Sequence, residues 1–228
     1  MISSTRRCIV ALACGFAGTF AMQGAAAQAV SPAETLLFQT NHLHNVRAPL
    51  TLTYGFHKAG SLEPGFDDRV EVLLIEKKPG GKPSVTMHFL SGERQRPAPD
   101  PDNAEGNPAL LGFLEHDIAE MQRLTGGSRN YFRKRIRLAL AEAAQVRPTR
   151  FTWGGKPVDG REVSIEPYRN DPMAQRFERF IPKRYTFVIS AQVPGGVYRV
   201  GSALAGPAGG APLLEETLTL ERAANDKH

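Results

Sequence analysis

The sequence predicts an α+β fold: a twisted, curved antiparallel sheet of about six to eight strands packed on an αα-hairpin. Three observations lead there. Short stretches on both sides of the chain's middle alternate apolar and polar residues, the pattern of strands with one buried face. Gly-rich tight turns join those stretches, and such turns make antiparallel pairs. Between the two strand regions, apolar residues recur every three or four positions in two segments split by Gly126-Gly127. A one-faced sheet needs a cover, and this helical pair is the apolar-faced cover on offer.

Leu50, Leu52, Tyr54 and Phe56 share one parity and Thr51, Thr53 and Gly55 the other, which predicts the first strand. The punctuated connection GSLEPGFDD leads to a second strand over 69–78. PGGK at 79–82 predicts a hairpin turn, because glycine tolerates positive φ. The return strand, 84–90, places Val85, Met87 and Phe89 on one face. Residues 91–107 are polar and Pro-rich and predict an exposed excursion, either a lid or a mobile loop.

Asn107 is the expected N-cap of the first helix, with Pro108 at its first position. Its predicted inward stripe is Leu111, Leu114, Ile118 and Met121, with Glu115, Asp117 and Glu120 on or near the wet side. Gly126 suits the left-handed residue that closes helices. Ser128 then caps a second helix with the inward stripe Phe132, Ile136, Ala139 or Leu140, and Ala143. Beyond Pro148, residues 150–168 read as a hairpin across Gly154-Gly155-Lys156 with a second bend at Asp159-Gly160. After an irregular stretch come a strand over 183–192, a Pro194-Gly195-Gly196 turn, the strand VYRVGSAL, and a last run over 213–221. Trp153, Tyr185 and Phe187 are expected in the core.

The N-terminus sets the expected compartment. Arg6 and Arg7 precede the apolar run CIVALACGFAGTFAM, and the small residues GAAAQA follow, the three parts of a secretory signal peptide. The expected organisation is therefore a cleaved signal at 1–29, one domain over 30–222 and a frayed tail at 223–228. Cleavage after Ala27 or Ala29 gives a mature chain starting at Gln28 or Val30, located in the periplasm. Both cysteines, Cys8 and Cys14, fall within the signal, so the mature chain has no disulfide, thiol nucleophile or Cys metal ligand. Losing Arg6 and Arg7 takes the formal charge from +5 to +3. That mild excess, with export, argues against nucleic acid as a partner.

No P-loop, G-x-G-x-x-G, G-x-S-x-G or S-x-x-K pattern occurs. Gly126-Gly127 is a turn between helices, since a phosphate loop would follow a strand. The densest titratable group is Glu115-His116-Asp117 with Glu120; His116, Glu115 and Glu120 are the candidate acid/base residues of a hydrolase-type site. His42 and His44 form an H-x-H pair, candidate metal ligands with His57 or His88, in a segment that reads as a loop. Arg129, Arg133 and Arg137 stand four apart and Lys134 widens the stripe. That stripe is either a solvated helix face or a contact for an anionic envelope surface.

Four stretches carry a resemblance: GSLEPGFDD, FLEHDIAEMQRLTGGSRNYFRKRI, PYRNDP and YTFVISAQVPGGVYRV. Together they resemble an uncharacterised family of exported proteobacterial proteins, a likeness that assigns no activity to any residue. The layout is also similar to periplasmic lipoprotein-carrier and outer-membrane lipoprotein-sorting proteins. That similarity implies a curved antiparallel sheet closed by helices around an apolar cavity for acyl chains. The function expected is that of a monomeric, non-catalytic periplasmic protein, without cofactor, binding an apolar ligand or acyl chain between sheet and helices. A hydrolase-type enzyme using the Glu115/His116 region and an envelope assembly factor without a pocket are the alternatives.

Overall fold

The computed structural model describes residues 29–75, 84–95, 105–207 and 210–225. The expected leader with Cys8 and Cys14, the expected PGGK turn and the middle of the 91–107 stretch lie outside these residues. The described strands are β1 (Leu50–Ala59), β2 (Phe66–Ile75), β3 (Ser84–Phe89), β4 (Gln145–Trp153), β5 (Lys156–Ile165), β6 (Arg184–Ile189), β7 (Val197–Leu204) and β8 (Leu214–Ala224). They form one antiparallel sheet in the order β3-β2-β1-β8-β7-β6-β5-β4. The chain builds a three-stranded meander, crosses by helices to the far edge, and returns strand by strand until β8 closes against β1.

Period-2 alternation positions the inner face. Leu52, Tyr54 and Phe56 from β1, Val70, Val72 and Leu74 from β2, and Tyr185 and Phe187 from β6 are all buried. Bulges interrupt the β1–β8 and β6–β7 registers at Thr53/Tyr54 and Val188/Ile189, and bulges strengthen local twist. The β4 end of the sheet curls. Phe151 on β4 and Tyr198 on β7 stack with centroids 3.9 Å apart, although two strands separate theirs in the sheet order. The Gly154-Gly155 turn joins β4 to β5 as expected, but no bend occurs at Asp159-Gly160. β5 runs through them because Asp159 and Gly160 pair with Arg150 and Thr149. β8 likewise continues to Ala224, pairing the first two residues assigned to the tail with β1.

The helical hairpin is α2 (Pro108–Thr125) and α3 (Arg129–Glu142), preceded near the N-terminus by the single turn α1 (Pro32–Glu34). Gly126 closes α2 in the left-handed region at φ 70°. The inward face of α2 is rotated from the predicted stripe: Leu111 is 55% exposed, while Leu110, Phe113 and Asp117 are buried with Leu114, Ile118 and Met121. Gly112 faces β3 so closely that a Cβ there would lie 2.6 Å from the Met87 methyl, and a side chain would push helix and sheet apart. On α3, Phe132, Ile136, Ala139 and Leu140 are buried, whereas Ala143 is exposed at the helix end.

The segment from Ser31 to Asn45 is helical and partly buried, including the His42–His44 stretch that the sequence read as a loop. A Ser31/Glu34 capping box starts α1, a π-turn follows over Thr35–Gln39, and His42–Asn45 forms a 3-10 turn. Asn107 ties this segment to the core. Its backbone N–H donates to His42 Nδ1, its amide donates to Tyr54 Oη at 2.7 Å and to the Gly195 carbonyl at 2.8 Å, and its oxygen accepts from the Ala109 N–H. Asn107→Ala removes a helix cap and leaves buried partners unmatched, so it should cost about 2–3 kcal/mol. Urea unfolding measures this; a loss below about 0.5 kcal/mol would show the junction to be dispensable.

Candidate functional site

Polar residues meet α2 on the sheet side in two groups. The deeper centres on Asp117, which was expected near water and is 0% exposed. Its carboxylate accepts from Lys183 Nζ at 2.6 Å, Ser202 Oγ at 2.7 Å and Tyr185 Oη at 2.6 Å. Tyr168 Oη lies 3.1 Å behind Tyr185 Oη. Burial and then the Asp117 charge push the Tyr185 phenol well above its ordinary pKa, which keeps it a proton donor. Every Asp117 contact comes from β6, β7 or the residue before β6, so one helix carboxylate pins α2 to the sheet's centre.

The second group lines a cleft of about 280 Å³ where α2 and the β1–β3 end of the sheet part. Lys58 stands at its centre, 3.0 Å from Glu63, 3.2 Å from Glu120 and 3.1 Å from Glu216. Arg123 reaches both Glu63 and Glu120, at 2.7 and 2.6 Å. Glu216 on β8 is fully buried. Lys58 at 3.1 Å and the His116 ring at 3.6 Å approach it at ion-pair distance. The His116 ring packs edge-on to Phe56 and tilted against Phe89. Pro64, Phe66 and Leu90 supply the apolar part of the lining, with Arg94 at the rim. Leu90 is buried in the left-handed region at φ 62°, a strained conformation for a bulky side chain.

The electrostatics set an acid limit. Burial pushes the Glu120 carboxyl up, but the Arg123 hydrogen bond and the Lys58 charge outweigh it and hold the pKa at about 2. Burial also raises Glu216, and the His116 and lysine charges outweigh that too, leaving it below the ordinary value. A carboxylate with a lowered folded pKa stabilises the fold above its unfolded pKa, and that contribution is lost as pH falls. Stability should therefore start to decline below about pH 4.5 and fall further towards pH 2. Glu120→Gln should flatten that decline. Denaturation midpoints read across this range decide it, and an unchanged slope in the variant would contradict the assignment.

The structure separates the candidate acid/base residues. His116 and Glu120 both line the cleft, whereas the Glu115 carboxylate turns outward and takes Arg133 in a bidentate pair at 2.9 and 2.8 Å. His42 is buried with both ring nitrogens engaged: Nε2 lies 2.8 Å from the Leu36 carbonyl and Nδ1 accepts from Asn107. Burial lowers the His42 pKa, which favours the neutral ring these contacts require. His44 is exposed, its Nδ1 2.6 Å from the Asn41 carbonyl. Of the basic stripe, Arg129 donates to Gln122, Arg133 is held by Glu115, and Lys134 and Arg137 are exposed beside a groove formed with Val30, Glu34 and Leu138. Arg135, outside the predicted stripe, lies 2.8 Å from the buried Asp171 carboxylate.

Sequence patterns missed Lys58, Lys183 and Glu216. All three sit at inward strand parity or beside it, and a charge at such a position was the signal available.

No protein-family model matches the chain, and no curated protein matches it. Solved structures do. The chain is similar to Mycobacterium tuberculosis lipoprotein LppX at 9% identity, over 87% of this chain and 98% of that one, with a TM-score of 0.36. It is similar to LprF from Mycobacterium bovis at 12% identity, over 87% and 96%, with a TM-score of 0.34. It is also similar to the LolA superfamily protein NE2245 from Nitrosomonas europaea at 9% identity, over 86% and 94%, with a TM-score of 0.23.

Proposed function

We propose that the protein is an exported, non-catalytic binder that takes an apolar chain at the mouth of the seam between α2 and strands β1–β3. One observation carries this reading. The cleft at that mouth sets Phe66 and the strained Leu90 directly before the buried aromatics Phe56 and Phe89, and Phe66 stacks on Phe56 at 5.6 Å. The mouth is closed by ion pairs among Lys58, Glu63, Glu120 and Arg123 rather than by interlocked side chains. Water can solvate such groups when they part, so opening there exposes less apolar surface than opening elsewhere along the seam. Among the described residues, no helix is long and apolar enough to cross a membrane.

Native mass spectrometry of protein recovered from the envelope tests the reading. A co-purifying apolar ligand is expected, together with saturable binding of a fluorescent apolar probe by stripped protein. Phe66→Glu, at a half-buried position, should abolish probe binding and keep the circular dichroism spectrum. A wild type that carries no ligand and binds no probe would end the proposal.

Lys134 and Arg137 favour an anionic envelope surface as docking partner, because among the described residues no carboxylate lies within ion-pair distance of either. Each basic side chain near such a surface contributes about 1 kcal/mol at low salt. Reversing both charges should abolish salt-sensitive binding to anionic vesicles and leave the melting temperature unchanged. A wild type indifferent to those vesicles at low salt would reduce the stripe to a solvated face.

A further inference from the structure

Around the cleft, Lys58 and Arg123 stand among three carboxylates, and a third cation, Arg94, stands apart at the rim. Lys58 meets three carboxylates and Arg123 two of the same set, so Glu63 and Glu120 each face two cations. Arg94 is exposed at the rim, and its guanidinium carbon lies 4.4 Å over the Phe66 ring. Among the described residues, its side chain donates no hydrogen bond and lies in no ion pair, although its charge reaches the Asp68 carboxylate and helps hold that pKa down. Its backbone is nevertheless fixed. The Ser91 hydroxyl and N–H both donate to Asp68, at 2.7 and 3.3 Å, and the Arg94 N–H closes a turn onto the Ser91 carbonyl at 3.1 Å. A planar fork of N–H donors is thus held at the edge of an apolar floor. That fork matches the oxygens of a carboxylate or phosphate, and stacking on an aromatic ring leaves its edge free to donate.

We infer that the cleft selects a single-chain amphiphile ending in a small anionic head, with the chain on Pro64, Phe66 and Leu90 and the head against Arg94. This rests on the apolar-binding reading above. A cationic head would meet the Arg94 charge, while the nearby carboxylates are already engaged. An uncharged head would offer the donor edge of the guanidinium no anion to match it.

The test uses the full mature chain at pH 8, below the micelle concentration of each competitor. A bound fluorescent apolar probe is displaced by dodecanoate, dodecyl phosphate, dodecanol or dodecyltrimethylammonium, which share one chain and differ in the head. Wild type should favour the two anions over dodecanol by about tenfold, the scale of one charge-assisted hydrogen-bonded pair. Arg94→Gln should erase that preference without weakening dodecanol, and its melt should match wild type because Arg94 is exposed. The ranking of dodecanoate against dodecyl phosphate separates a carboxylate head from a phosphate one. Equal displacement by anions and dodecanol in wild type, or a preference that survives Arg94→Gln, overturns the inference and leaves apolar binding standing. Failure of the probe and all four competitors to bind overturns the apolar-binding reading, and the inference with it.

Discussion

Replacing Asp117 with alanine should lower the unfolding free energy by about 3–5 kcal/mol. The loss comes from what remains. Lys183, 1% exposed, loses the carboxylate it donates to at 2.6 Å, and the Tyr185 ring 5.3 Å from its nitrogen is a poor replacement. The Ser202 and Tyr185 hydroxyls lose their acceptor at the same time. Removing both charges should be far milder than removing one, because a buried pair replaced by apolar groups of similar volume loses little. Guanidinium unfolding of Asp117→Ala, Lys183→Met and an Asp117→Leu/Lys183→Met double variant measures this directly. A single-variant loss under about 1 kcal/mol would mean that water reaches Lys183 and that the cluster does not hold α2 to the sheet.

Phe132→Asp should abolish folding. Phe132 is fully buried on α3 and meets Tyr131, Tyr168 and Phe177 edge-on at 5.8–5.9 Å. Losing the ring alone costs about 3–5 kcal/mol. An unpaired carboxylate in that nest adds several more, and the sum matches the stability of a whole domain. The expected result is loss of the near-ultraviolet circular dichroism signal, with Phe132→Leu retaining it. A cooperative melt in the aspartate variant would show that α3 can lift away while the sheet remains folded.

These two residues mark where sequence reasoning held and where it failed. Phe132 was legible because helical spacing with Ile136 defines a stripe that local periodicity detects. Strand parity was legible for the same reason: Leu52, Tyr54 and Phe56 repeat every second residue, and the sheet buries all three. Asp117 was not legible. A carboxylate beside Glu115 and Glu120 reads as part of a wet face, and its burial depends on a lysine 66 positions away and a serine 85 positions away. Nothing within one helix turn announces such partners. Leu111 was misplaced for a related reason, since a leucine fits any apolar stripe and the rotation of α2 is set by Gly112 against Met87 and by the buried Asp117. In the cleft, His116 and Glu120 stood out by composition. Lys58 and Glu216 hid within strand alternation, where a buried charge breaks the rule that reveals strands.

The placement of β8 between β1 and β7 governs the order in which this protein can be completed. Until residues 214–224 are available, the first three strands and the next four share no paired edge. The long central strand β1 then offers an unpaired edge, and an unpaired edge is a template for a neighbouring chain. The contacts that join the halves span most of the sequence, from Thr51 to Ala224, and contacts of that separation form late and slowly. A chain cut short before Leu214 would therefore hold two partial sheets joined mainly through the helices, with aggregation as its most accessible outcome. The intact chain buries both edges in a single closing event, which makes its last strand the commitment step of its own assembly.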